Sequence, residues 1–214
     1  MSTPDYSEFF YPRFLPDFVK PEKLQGYMQA RNFKLTEGEI MDSQIKSIQA
    51  AVNSVKSGSR CLEIGFNCGL SAATILSARD DISLVSVDIG EHPTVLLAKP
   101  IIDKIFPDRH TLIIGSSLDV IPRLGQAYDM KFDFLFIDGG HIHPVPYLDI
   151  VNCIKLAADD ALICIDDWCE VFGAGGVNQA IAEFVGNGTL RCLEKNTAKG
   201  HVYDHGWGFF KINR

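Results

Sequence analysis

The sequence predicts an α/β fold in which a mostly parallel sheet is wound on both faces by helices. Three observations carry that expectation. Short apolar runs alternate with helical stretches through most of the chain, and strands that alternate with helices pair in parallel, because each connection crosses back over the sheet. The first such run, Arg60-Cys-Leu-Glu-Ile64, breaks into a glycine-bearing turn, Gly65 to Gly69, and a small-residue helical pattern (Ala72, Ala73, Ile75, Leu76) follows at once. The last two runs, 189–195 and 206–212, are separated by a loop and read as a terminal antiparallel hairpin.

The chain divides into an arm, residues 1–35, and a single domain, residues 36–214. The arm is crowded with aromatics (Tyr6, Phe9, Phe10, Tyr11, Phe14, Phe18), and Pro12, Pro16 and Pro21 rule out one long helix. So many aromatics in a polar segment fit either of two roles. The arm packs on its own domain, or it covers the active site or a partner subunit and so supports a homo-oligomer. Thr36-Glu-Gly-Glu39 is a capping box. The helix it opens carries Met41, Ile45, Ile48, Val52 and Val55 on one stripe, and Ser57-Gly58 stops it. Strands are expected at 60–64, 83–88, 110–114, 132–138 and 161–166, with helices near 70–79, 94–106, 117–127, 145–158 and 177–186. Pro100 and Pro122 fall inside two of these helices, which should be short or kinked.

Composition narrows the function classes. With 214 residues, the chain suits one domain with a full core. A formal net charge of −7 argues against a nucleic-acid backbone as the main partner. The sequence has no apolar run long enough for a membrane span and no visible secretory signal. Six cysteines without a C-x-x-C pair read as reduced thiols in a cytoplasmic protein. Cys68, inside the glycine turn, reads as a small side chain facing a nucleobase rather than a nucleophile.

A strand, a glycine turn and a helix together make a binding site for a nucleotide-type ligand. Glycine admits close approach, and the helix N-terminus offers free N–H groups to an anion. The dinucleotide fingerprint G-x-G-x-x-G is not met, since Asn67 stands where its second glycine belongs. Asp88 closes the next apolar run, nineteen residues past Gly69, where an acid accepts hydrogen bonds from ribose hydroxyls. Three further acids, Asp138, Asp166 and Asp167, end two later strands. If those strands are neighbours, the carboxylates emerge together and need protonation, spreading or a cation. All-oxygen ligation suits a hard divalent ion, Mg²⁺ first.

Glu63-x-Gly65-x-x-x-Gly69-x-Ser71 followed by Asp88 resembles the cofactor motif of class I S-adenosylmethionine-dependent methyltransferases. The match is closest to the small O-methyltransferases of the catechol type and their bacterial relatives, and it extends from about Thr36 to Asp167. The resemblance implies a Rossmann-like seven-stranded sheet. It implies S-adenosylmethionine as cofactor, held by Glu63, Gly65, Asn67, Gly69, Ser71, Asp88 and Asp138, with Ser117 and Leu118 at the adenine. Gly38–Asp42 resembles the catechol-type sequence at the head of the first helix, which would put Arg31, Asn32 and Phe33 at the pocket. The catechol-type enzymes hold Mg²⁺ with acids at the positions of Asp138 and Asp166 and an Asn at the position of Asp167; here that third ligand is an acid. His141 falls where those enzymes place a lysine general base, and His143 is a competing candidate. A histidine with an ordinary pKa near 6.5 could take a proton from a hydroxyl at neutral pH.

The expected function is therefore O-methylation of a hydroxyl on a small molecule with divalent-metal assistance, Asp138 and His141 acting in catalysis. Two other readings stay open: an NAD(P)-dependent oxidoreductase on a similar fold, and a non-catalytic cofactor-binding or scaffold protein.

Overall fold

A computed structural model describes residues 40–128, 130–169, 175–200 and 204–214. The aromatic arm, the capping box and the positions Arg31, Asn32 and Phe33 lie outside the described residues. The first described helix starts only at Asp42, with Met41 extended as its N-cap, so the box at Thr36–Glu39 does not open it. Among those described, the chain runs α1 (Asp42–Ser54), β1 (Arg60–Ile64), α2 (Leu70–Ala78), β2 (Ser83–Asp88), α3 (Pro93–Ile105), β3 (His110–Ile114) and α4 (Ser117–Tyr128). It continues with β4 (Phe132–Ile137), α5 (Val145–Leu156), β5 (Ala157–Ile165), α6 (Gly175–Gly186), β6 (Leu190–Lys199) and β7 (Asp204–Ile212).

The strands form one seven-stranded sheet in the order β3-β2-β1-β4-β5-β7-β6. Strands β1 to β5 pair in parallel, and β7 inserts antiparallel between β5 and β6. This is the expected Rossmann-like sheet with its closing hairpin. Helices α1, α2 and α3 cover one face, where Ile48, Ile75, Ile102, Phe134 and Phe136 pack together. Helices α4, α5 and α6 cover the other, over Leu62, Leu135, Ile137, Ile150 and Phe184. Both faces of β4 are therefore buried, which is why Phe132–Ile137 is apolar nearly throughout instead of alternating.

Two further expectations need correction. Pro100 does not shorten or break α3, which runs 13 residues through it. A helical proline frees the carbonyl four residues back, here Leu96, and both residues lie on the exposed face, where water can satisfy that oxygen. Helix α4 likewise runs through Pro122. Strand β5 begins at Ala157, earlier than the expected 161, because Asp159 and Asp160 extend it along an exposed rim.

The strand order reverses between β1, which is followed by β2 on one side, and β4 on the other. In an open parallel sheet such a reversal opens a crevice at the carboxyl ends of the strands. The glycine turn and the acids Asp88, Asp138, Asp166 and Asp167 all sit at that edge. No described helix is long and apolar enough to cross a membrane.

Candidate active site

The β1–α2 turn is built by glycines placed where other residues would collide. Gly65 has φ 89°, and a Cβ there would lie 1.8 Å from the backbone oxygen of Asp138. Its amide donates to Val87 O at 2.9 Å, while the Asp138 amide donates to Ile64 O at 2.9 Å. The turn is thus stitched to both neighbouring strands. Gly69 (φ 76°) enters α2 as its N-cap, leaving the first amides of that helix directed at the crevice.

Asp88 underpins the same turn. Its Oδ2 accepts the amides of Phe66 and Asn67, both at 2.9 Å, and its Oδ1 accepts that of Gly90 at 2.7 Å. A carboxylate offers about four lone-pair sites, so one remains for an incoming hydroxyl. Asn67 accepts a hydrogen bond from the Thr94 hydroxyl at 2.6 Å and ties the turn to α3. Glu63 lies wholly buried beneath the turn, with the Ser86 hydroxyl donating to it. Burial pushes its pKa up to about 8 against the pull of the Ser71 and Ser86 hydroxyls. Cys68 does not face the crevice: it is sealed in the core, and burial raises its thiol to about 11. All six cysteines are free thiols.

Ser117 and Leu118 open α4 beside the end of β3, and both are half-buried. Near them stand two apolar residues the sequence reading missed. Ile89 and Ile114 follow Asp88 and end β3, and they are 57% and 50% exposed. An apolar residue directly after a strand-ending acid was the available signal for Ile89.

The acid cluster differs from the expected arrangement. Asp138, His141 and Asp167 offer ligand atoms within 4.8 Å of one another, and this is the metal-competent group found among the described residues. Asp166 is not in it. Its Oδ2 accepts from Gln44 Nε2 on α1 at 2.7 Å, and its Oδ1 accepts the Asp167 amide at 2.9 Å. Its burial and the charges of Asp138 and Asp167 hold its carboxyl well above the usual range. The cause of the exchange is local backbone. Asp166 still pairs with β4 through its amide, whereas Asp167 turns left-handed at φ 57° and its carboxylate stands beside His141. Aspartate tolerates that conformation better than most residues.

His141 takes the place that Asp166 leaves. Its Nε2 lies 2.7 Å from Asp167 Oδ2 and 3.9 Å from Asp138 Oδ1. These carboxylates raise its pKa to about 11, so the ring is an imidazolium at neutral pH instead of the ordinary histidine assumed above. His143 is exposed, with its ring 6.5 Å from that of Tyr147, so the structure brings His141 to the acids and not His143. A Cβ on Gly176 would meet His141 O at 2.3 Å, so that glycine lets α6 close against the histidine loop.

One buried acid escaped the sequence reading. Asp149 on α5 lines the same cleft as Asp138, His141, Asp166 and Asp167. It has no exposed surface, and neither carboxylate oxygen reaches a well-formed hydrogen bond. A Cβ on Gly139 would come 2.8 Å from its Oδ2. Burial lifts its pKa to about 6, partly offset by the Ser117 hydroxyl. No sequence signal marks it, because an acid in a mid-helix position usually faces solvent.

Comparison with known proteins adds an independent line. Residues 62–168 match a family described as a methyltransferase domain. An O-methyltransferase of Aspergillus flavus, imqG, is 25% identical over 129 residues, covering 58% of this chain and 50% of its own. The chain thus spans about half the length of the curated relative it matches. Among solved structures, an O-methyltransferase from Bacillus cereus in complex with SAH superposes with a TM-score of 0.76 at 18% identity, over 97% of this chain and 95% of that one. TomG from Streptomyces achromogenes, an O-methyltransferase involved in tomaymycin synthesis and solved with SAM, gives 0.73 at 18% identity over 98% and 94%. At these identities the two structures speak to the fold.

Proposed function

Because this chain belongs to the methyltransferase-domain family, we propose that it is an S-adenosylmethionine-dependent O-methyltransferase acting on a hydroxyl of a small molecule. One juxtaposition carries the reading. Gly65 lies against the backbone of Asp138, so the glycine turn and the Asp138–His141–Asp167 cluster share one wall of the crevice. A methyl donor held by the turn and an acceptor held at the cluster would then be neighbours. The O-methyltransferase relatives, with SAH or SAM in the two bacterial structures, support the choice of cofactor.

The residues divide the work. The turn from Gly65 to Ser71 and the first amides of α2 receive the amino-acid end of the cofactor, and Asp88 receives a ribose hydroxyl at its remaining acceptor site. Ile89, Ile114, Ser117 and Leu118 wall the adenine. The cofactor brings a methyl group already activated on a sulfonium, which leaves alignment and proton removal to the protein. His141 Nε2 is the atom that takes the acceptor's proton. In the state described it already holds a proton between Asp138 and Asp167, so it serves as a base only when those carboxylates are engaged otherwise.

A divalent cation would do that. The two carboxylates of Asp138 and Asp167 would hold such an ion, and its chemistry there is to lower the pKa of an acceptor hydroxyl. Held by carboxylate oxygens alone, with His141 left free as the base, such an ion would be a hard divalent one, Mg²⁺ or Mn²⁺. The oxidoreductase reading is disfavoured by Asn67, whose side chain is tied to Thr94 where a dinucleotide turn has glycine.

The test is thermal stabilisation. S-adenosylhomocysteine should raise the melting temperature and NAD should not, since only the folded state has the turn and Asp88 in place. A shift with NAD and none with S-adenosylhomocysteine would overturn the proposal.

A further inference from the structure

We propose that His110, two strands from the glycine turn, is a positioning residue for cofactor binding: it acts through Ser86 on the Glu63 carboxyl. This rests on the methyltransferase reading, because it supposes that the turn takes a cofactor bearing an α-ammonium group.

Three buried polar side chains cross three adjacent strands. Glu63 on β1 and Ser86 on β2 are register partners, and the Ser86 hydroxyl hydrogen-bonds Glu63 Oε2. Ser86 Oγ also stands 3.0 Å from His110 Nε2 on β3. The His110 ring has no exposed surface and stacks on Phe66, with centroids 5.1 Å apart and planes at 21°. On its far side, Nδ1 is 3.7 Å from Asp103 Oδ1 on α3, an acid also held by Lys99. The string therefore runs from beneath the cofactor turn to the edge of a surface helix. Polar groups inside a sheet core are costly to desolvate, and such a chain is stable only when its members satisfy one another. Two atoms are left over. Glu63 Oε1 and His110 Nδ1 are sealed from solvent and have no hydrogen-bond partner, Asp103 Oδ1 standing 3.7 Å from the latter.

The string has two proton arrangements. With Glu63 protonated, its O–H donates to Ser86 Oγ, Ser86 donates to His110 Nε2, and the imidazole carries its proton on Nδ1, toward Asp103. With Glu63 charged, every donor reverses: His110 Nε2–H donates to Ser86, and Ser86 to Glu63. The change breaks the Glu63 O–H bond and the His110 Nδ1–H bond and makes a His110 Nε2–H bond. One proton leaves to water by way of Asp103, which is 47% exposed. Burial, with the smaller like charges of Asp138 after β4 and Asp88 on β2, raises the Glu63 carboxyl to about 8, so the ligand-free acid favours its protonated form at pH 7. An arriving ammonium group favours the charged form. Throughout, His110 stays uncharged, because burial and Lys99 push its pKa down to about 4.

The experiment is S-adenosylhomocysteine binding by calorimetry, in buffers of different ionisation enthalpy, to wild type, His110→Phe and His110→Gln. Phenylalanine keeps a ring against Phe66 but has no nitrogen for Ser86, and glutamine keeps a donor without the ring. Wild type should release about one proton per ligand near pH 7. His110→Phe should bind roughly tenfold more weakly and shift the pH at which that proton is lost, while His110→Gln should stay within about threefold. A measurement on wild type needs no variant to fold: the ¹⁵N shifts of the His110 ring should exchange their Nδ1 and Nε2 character as ligand saturates. Unchanged affinity and proton release in His110→Phe, or ring shifts that ignore the ligand, would overturn this proposal alone. Wild type that binds no S-adenosylhomocysteine would remove the methyltransferase reading and this proposal with it.

Discussion

Asp88 Oδ2 accepts the Phe66 amide at 2.9 Å, so the acid expected to meet a ribose is already engaged with the glycine turn. The two tasks are compatible because a third amide, that of Gly90, uses the other oxygen and still leaves acceptor capacity. Asp88→Asn turns half of that acceptor into a donor facing backbone N–H groups. It should weaken S-adenosylhomocysteine binding by about 1.5–3 kcal/mol, the worth of a hydrogen bond to a charged group. Titration calorimetry checks this, and an unchanged affinity would mean that Asp88 serves the turn alone.

Gly65 is the second point of stress. A methyl group there would sit 1.8 Å from Asp138 O, in a backbone conformation that side chains rarely adopt. Gly65→Ala should therefore force β1 and β4 apart at their carboxyl ends and destabilise the fold by roughly 3 kcal/mol. The urea midpoint reads it, with Gly188→Ala as the comparison, because a Cβ there meets nothing within 4 Å.

Features that depend on neighbouring residues were legible in the sequence. The turn from Gly65 to Gly69, the strand-ending acids Asp88 and Asp138, and the closing hairpin each announce themselves within a few positions. What depends on contacts between distant segments was not. Gln44 claims Asp166 from 122 residues away, and that contact, with the left-handed turn at Asp167, decides which acid faces His141. The same holds for His141 itself. Its position was readable, but its charge is set by two carboxylates whose distances only the folded chain fixes. Asp149 and His110 were invisible for a related reason: burial is a property of packing, and neither residue type predicts it.

Asp149 makes a prediction about pH. Its pKa in the folded protein, about 6, is raised above the ordinary 3.8 by burial. The folded state therefore holds the proton more tightly than the unfolded one, and the stability this gives is present in full below the unfolded pKa. It is lost as pH rises through the folded value. Above pH 7 the buried charge is a liability. Asp149→Asn should then stabilise the protein by roughly 2 kcal/mol at pH 8 and have little effect near pH 4. Denaturation at the two pH values checks the sign, and a loss of stability at pH 8 would show that the charged carboxylate has a partner worth more than its burial costs.

The last prediction concerns the two carboxylates beside His141. Asp138 and Asp167 attract one cation, and in the state described that cation is the imidazolium. A divalent ion must compete with it, so its binding should release about one proton and tighten as pH rises. Adding Mn²⁺ or Mg²⁺ should therefore acidify a weakly buffered sample, and chelation should lower both thermal stability and turnover. Asp167→Asn keeps an oxygen ligand at a position where Asn tolerates the left-handed backbone, so binding of the ion should survive in weaker form. Asp138→Ala removes a ligand and should abolish it. His141→Ala separates the roles. Without the competing imidazolium the ion should bind no less tightly at neutral pH, while the methyl-transfer step slows by roughly 10²–10⁴-fold, the usual worth of a general base. Full turnover in excess chelator would take the ion out of the reaction.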